Sequence, residues 1–192
     1  MEAIPTRTKV LDAAARVFLE FGYSGASMDQ VRQAAGVSNG SLYHHFPTKA
    51  QLADALYVDI VRDFQASLLE TIAREVSAEA GVKGLVRAHV NWVVKHPDRA
   101  SLLHKLKRDG GVSDASEGIS AANAEAFGAL DAWMHRKTDA AEMRALPFHV
   151  WLAIVFAPAM SLTGRWVSEP RPSVTPKVRE ALEHAAWSAV AP

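Results

Sequence analysis

Between Ser38 and Lys49 the run SNGSLYHHFPTK gathers short hydrogen-bonding groups, a tyrosine and two histidines around one glycine. If the run is helical, Leu42 and Phe46 fall one turn apart and face inward. Asn39, Gly40, Ser41, Tyr43, His44 and His45 then occupy the remaining arc. Those groups suit the reading of an extended polar surface. Asn can pair bidentately with adenine in the major groove of DNA, while Ser, Tyr, His and Lys suit phosphate oxygens or thymine methyls. Gly40 lets a backbone come close to such a surface. From Gln30 to Ala53 there is no acidic residue, as a phosphate-facing surface requires.

The elements that must position this arc are readable just upstream. Ser27, with Gln30 three places on, is a capping-box start for a short helix whose apolar residues are Met28, Val31, Ala34 and Ala35. Gly36 stops it, since glycine enters the left-handed conformation without a Cβ clash. Ser38 then caps the reading helix, and Pro47 ends it. Two short helices joined by a glycine turn form a helix-turn-helix. Ahead of them, about Thr8 to Phe21 places Val10, Ala14, Val17, Phe18 and Phe21 on one face, with Gly22 closing a first helix.

The run VLDAAARVFLEFGYSGASMDQVRQAAGVSNGSLYHHFPTKAQLADAL resembles the DNA-binding domain of the TetR family of transcriptional regulators. The likeness covers about the first quarter of the chain. Its carriers are Phe18, Gly22, Ala35-Gly36-Val37-Ser38, Gly40, Leu42-Tyr43, Phe46 and Lys49. The resemblance implies a homodimer that binds a palindromic operator, usually as a repressor, and releases it when a small molecule enters the C-terminal domain. The expected DNA-facing set is Ser27, Ser38, Asn39, Gly40, Ser41, Tyr43, His44, His45, Thr48 and Lys49, with Lys49 as a phosphate partner. Asn39 stands where the family most often has Lys, which exchanges a long point charge for a short donor and acceptor able to read a base.

The expected fold is all-α: a helix-turn-helix domain over residues 1–47, then a larger ligand-binding and dimerisation domain over 48–192. A chain of 192 residues with 49% hydrophobic content can bury such a core. Net charge is zero, and the first fifty residues hold five Lys/Arg against four Asp/Glu. Phosphate affinity must therefore come from placement, helix N-termini and doubling in a dimer. Arg7 and Lys9 read either as a solvated terminus or as an arm on phosphate. No cysteine is present, which excludes disulfides and thiolate chemistry. The charged start MEAIPTRTKVLD lacks the apolar segment of a secretory signal, and Phe148 to Gly164 falls short of a membrane span; the expectation is a cytoplasmic protein.

Thr48 with Gln51 repeats the capping box for a fourth helix reaching about Val76. Its stripe Leu52, Leu56, Ile60, Phe64, Leu68, Ile72, Val76 advances by four and winds around the helix, so it must meet different partners at its two ends. Gly81 and Gly84 are expected to break the pattern ahead of a fifth helix ending near His96. A sixth (Asp98 to Lys107), a seventh (Ile119 to Lys137), an eighth (Phe148 to about Val167) and a last helix capped by Thr175 follow. His89 and His96 share a face, but no third ligand joins them, so core or pocket histidines are read there and no metal site.

Phe64, His89, Trp92, His104, Trp133 and Trp151, with His149, could wall a pocket for a flat, mostly apolar molecule, or could simply be core. The last two helices are too apolar for one side alone. Ile154, Val155, Val178, Leu182, Ala185 and Ala186 are the expected dimer contacts, in keeping with the four-helix interface the resemblance implies. No phosphate-loop, dinucleotide, HExxH or nucleophile-elbow pattern occurs, no carboxylate pair sits in an apolar setting, and no cofactor is implied. The chain therefore reads as a regulator and not an enzyme. The alternative from another class is a helical interaction protein whose helix-turn-helix serves packing alone.

Overall fold

The computed structural model describes residues 5–73, 77–113, 116–166 and 174–192. Among them every regular element is an α-helix: α1 (Thr6–Gly25), α2 (Met28–Ala35), α3 (Asn39–His45), α4 (Lys49–Ile72), α5 (Ala78–Lys95), α6 (Pro97–Arg108), α7 (Glu117–Asp139), α8 (Phe148–Trp166) and α9 (Pro176–Val190). Val76 and Val167, expected helix ends, lie outside the described residues. None of the described helices is long and apolar enough to cross a membrane.

The chain divides into two compact units. One holds the residues up to Arg62 together with Asp98–Ala122; the other holds Asp63–Pro97 and Asn123–Pro192. In the first, α1 packs on α2 and α3. Val10, Ala14, Val17, Phe18, Val31 and Leu42 are buried, as their helical spacing requires. Gly22, at φ 70° and ψ 167°, breaks the helical run where expected, and the chain makes a further turn to Gly25. The sixth helix belongs to this unit too: Lys105 Nζ donates to the Leu19 carbonyl at 3.4 Å and Arg99 pairs with Asp59 at 2.7 Å.

In the second unit α5, α8 and α9 pack on one another around a core containing Trp133, Trp151, Val155, Leu182 and Ala186. The rings of Trp133 and Trp151 lie 6.2 Å apart, and the Trp151 indole N–H points at Met143 Sδ, 3.3 Å away. The expected helix break at Gly81 and Gly84 does not occur; both are inside α5. A Cβ at Gly81 would run into the Trp133 indole, and one at Gly84 would come within 2.6 Å of Thr71 Cγ2. These glycines permit close helix packing instead of ending a helix. Ser77, outside the expected span, caps α5 by accepting from the Ala80 N–H at 3.2 Å.

Candidate nucleic-acid interface and apolar cavity

The helix-turn-helix is built by the caps its sequence requires. Ser27 Oγ accepts from the Gln30 N–H at 3.2 Å, and Gln30 Oε1 accepts from the Ser27 N–H at 2.7 Å. Gly36 sits at φ 65° and ψ 37°, the left-handed region a β-carbon disfavours. Ser38 Oγ accepts from the Ser41 N–H at 3.2 Å and starts α3. Leu42 and Phe46 anchor that helix in the core at 0% and 3% exposure. Asn39, Gly40, Tyr43, His44 and His45 are all exposed, and Ser41 is half-buried.

Ser27 and Ser38 thus spend their hydroxyls as acceptors in the caps. Thr48 does the same at α4, accepting from the Gln51 N–H at 3.1 Å. Lys49 is turned inward. Its Nζ donates to the carbonyls of Tyr23 and Ala26, each at 2.9 Å, and stands 4.6 Å from the centre of the Tyr23 ring. An ammonium with two good carbonyl partners and a ring beneath it is a tie between the end of α1 and the start of α4. Arg32 pairs with Asp29 at 2.8 Å, and the Arg7 guanidinium lies 5.7 Å over the Phe46 ring. The face of α3 is accordingly polar and aromatic, with its nearby cations engaged in the fold.

The second unit holds a partly open cavity of about 340 Å³. Phe64 and Leu68 of α4, His89 of α5, and Phe127 and Leu130 of α7 form part of its wall; α8 supplies the rest through His149, Leu152, Ala153, Phe156, Ala157 and Met160. The α8 residues recur at helical spacing, a stripe that was visible in the sequence but is hidden by the apolar character of the whole helix. Of the expected pocket residues, Phe64, His89 and His149 line this cavity. Trp92 stands behind the wall, its ring 5.2 Å from Phe64 and its indole N–H donating to Asp63 Oδ2 at 2.9 Å. Trp133 and Trp151 are core at 2% and 0% exposure, and His104 is exposed on α6 in the other unit. Phe127 and Leu130 gave no sequence signal beyond ordinary apolar spacing.

His89 is the polar residue buried in that wall. Nε2 lies 3.0 Å from Thr163 Oγ1, while Nδ1 is buried with no hydrogen-bond partner among the described residues. Burial pushes the imidazole pKa down to about 4, so the ring is neutral at pH 7. His96 is used separately, its ring 5.6 Å from that of Trp92.

Of the six expected dimer contacts, Val155, Leu182 and Ala186 are 1%, 8% and 2% exposed within the single chain. Their side chains belong to the core of their own subunit. Ile154 and Val178 pack against the same core with part of their surface left open, and Ala185 is exposed on α9.

Residues 10–56 match the family described as bacterial regulatory proteins, tetR family. Over 144 residues the chain is 29% identical to the HTH-type transcriptional repressor Rv1474c of Mycobacterium tuberculosis, which spans 72% of this chain and 69% of that protein. It is 42% identical over 67 residues to the HTH-type transcriptional regulator UidR of Escherichia coli, covering 35% of this chain and 33% of that one. The fold is similar to that of the transcriptional regulator FadR from Bacillus subtilis, solved in complex with stearoyl-CoA. That likeness has a TM-score of 0.76 at 16% identity, over 93% of this chain and 96% of the other.

Proposed function

The chain belongs to the TetR family of bacterial regulatory proteins, a family of DNA-binding transcriptional regulators, and on that footing we propose a repressor that grips a palindromic operator as a homodimer. A small molecule in the cavity of the second unit weakens that grip. The observation that carries the reading is the free outer face of α3. Asn39, Tyr43, His44 and His45 are exposed while Leu42 and Phe46 hold the helix in place. A helix-turn-helix packed against its own chain would have that face covered, and here it is not. With Lys49 tied to the fold, base reading falls to Asn39, and backbone contacts fall to Tyr43, His44, His45 and the amides at the start of α3. Dimerisation through α8 and α9 is supported by Ala185 and by the partly open Ile154 and Val178. The protein would act on DNA in the cytoplasm.

An apolar effector is supported by the aromatic and aliphatic lining, and the acyl-CoA bound by the Bacillus subtilis FadR is a ligand with a long apolar part. The test is selection of bound sequences from a random DNA pool, followed by salt titration of the best one. A two-fold symmetric consensus whose affinity falls steeply with salt is expected. Binding without sequence preference, or none at 50 mM salt, would overturn the assignment.

A further inference from the structure

We propose that the cavity takes the alkyl tail of an amphiphile end-on and leaves the head group in solvent, so that it selects by tail length and not by head charge. The proposal rests on the reading of the cavity as the effector site and says which part of the effector the protein recognises. Exposure grades the lining from one end to the other. Leu68, His89, Leu130 and Phe156 are buried, whereas Phe127 and Met160 are 38% and 57% exposed. His149, Ala153 and Ala157, spaced by four along α8, are exposed as well. Phe127 and Met160 are two of the four exposed large hydrophobic residues among the described ones, and both line this one cavity. Apolar surface thus runs without a break from the buried wall to the rim, as a tail entering from water requires.

The buried end is a wall of rings. Phe64 and Phe156 lie 5.4 and 6.2 Å from His89, both edge to face, and Trp92 stands 5.2 Å behind Phe64. Charge has no place there or at the rim. No Lys, Arg, Asp or Glu lines the cavity, and α8 carries none before Arg165. His89 is neutral at pH 7. A charged group drawn inside would lose its hydration with no counter-ion to replace it, whereas one left at the open side keeps its water. An unbranched tail separates the two ends of a molecule in this way; a rigid ring system would carry its polar substituents inside. Each buried methylene should tighten binding about fourfold until the tail meets the rings, after which added methylenes stay in water. Phe156 then sets the length limit.

The test is calorimetric titration of the full chain at pH 7.5, below the micelle concentration of every probe. Octyl sulfate, octylammonium and octyl glucoside present one tail with three heads, and alkyl glucosides from hexyl to dodecyl vary the tail. The three heads should bind within about threefold of one another, since the head stays at the dielectric of water. The glucoside series should rise about fourfold per methylene and then level off. In Phe156→Leu the levelling should move to longer tails. Met160→Glu changes an exposed rim residue and keeps the test intact should Phe156→Leu fail to fold. At low salt it should weaken octyl sulfate and tighten octylammonium by about threefold each, and leave octyl glucoside unchanged. A tenfold preference for one head on the unaltered protein, affinity indifferent to tail length, no binding, a folded Phe156→Leu with the same limit, or a Met160→Glu that leaves the charged pair unmoved would each overturn the proposal. DNA affinity is read separately. Probes that follow the pattern and leave operator binding unchanged keep the tail site and remove the effector role. Release of DNA by a molecule whose binding ignores tail length keeps the effector role and refutes the tail site.

Discussion

Lys49→Ala separates two roles for the same ammonium. As a phosphate contact, Lys49 would contribute to DNA affinity and little to stability. As found, Nζ donates to the Tyr23 and Ala26 carbonyls at 2.9 Å each and stands over the Tyr23 ring. Hydrogen bonds to a charged group contribute about 1.5–3 kcal/mol each and a cation–π contact about 0.5–1 kcal/mol when exposed. Full addition would give roughly 4–7 kcal/mol. Lys49 is half-buried, and water can replace part of what the carbonyls lose. The expected loss is therefore about 2 kcal/mol. Urea unfolding should be followed by far-ultraviolet circular dichroism and by tryptophan fluorescence together. The first fifty-six residues contain no tryptophan, so a dichroism transition that moves to lower urea ahead of the fluorescence transition locates the damage in the helix-turn-helix. The salt slope of DNA binding should stay near its original value, because no phosphate contact is removed. Unchanged stability with a slope flattened by about one unit per subunit would refute the tie and return Lys49 to the DNA backbone.

Asn39→Ala should weaken the best operator by about 1–3 kcal/mol and relax preference at one position in each half-site; an equal loss on every sequence would make Asn39 a backbone contact and pass the reading to Tyr43 and His44. Gly81→Ala should destabilise by roughly 1–3 kcal/mol, because its Cβ meets the Trp133 indole. Gly128→Ala, exposed inside α7 with nothing within 4 Å, should stabilise by about 0.5–1 kcal/mol, and denaturant midpoints moving the same way in both would contradict the packing. Ala185→Glu adds a charge to an exposed position of α9, so the subunit should stay folded while sedimentation shifts toward monomer; a dimer of undiminished affinity would place the contact elsewhere. His89 has its folded pKa depressed to about 4, against about 6.5 unfolded. Above pH 6.5 the ring is neutral in both states, and between pH 6.5 and 4 the unfolded chain gains a proton the folded ring resists. Stability should fall across that window by roughly 3 kcal/mol, and His89→Leu should flatten the fall; urea midpoints at pH 7, 5.5 and 4.5 decide it.

The legible parts of this chain are those where one residue settles one local conformation. Ser27 with Gln30, Gly36 and Ser38 act within four residues of themselves, so helix starts, the left-handed turn and the exposed face of α3 could all be read from spacing. Gly81 and Gly84 misled because a glycine inside a helix and one ending it are identical in sequence. What distinguished them was a tryptophan 52 positions away from Gly81, brought there by packing. Lys49 misled for the same reason: a cation beside a reading helix suits phosphate until the carbonyls of Tyr23 and Ala26 are found beneath it.

The cavity was legible in its chemistry and obscure in its membership. His89, His149 and Phe64 were candidates and Phe127 and Phe156 were not, while three tryptophans were candidates of which none lines it. Aromatic spacing along a helix reports which residues face inward and cannot tell core from wall, since both demand apolar side chains. Polar groups discriminate better, because burial obliges each to account for every donor and acceptor. Trp92 accounts for its N–H at Asp63, and Trp151 directs its own toward Met143. His89 accounts for one ring nitrogen and leaves the other unpaired. That unpaired atom is itself buried and presents almost no surface to a ligand, so what the wall offers an incoming molecule is its apolar lining.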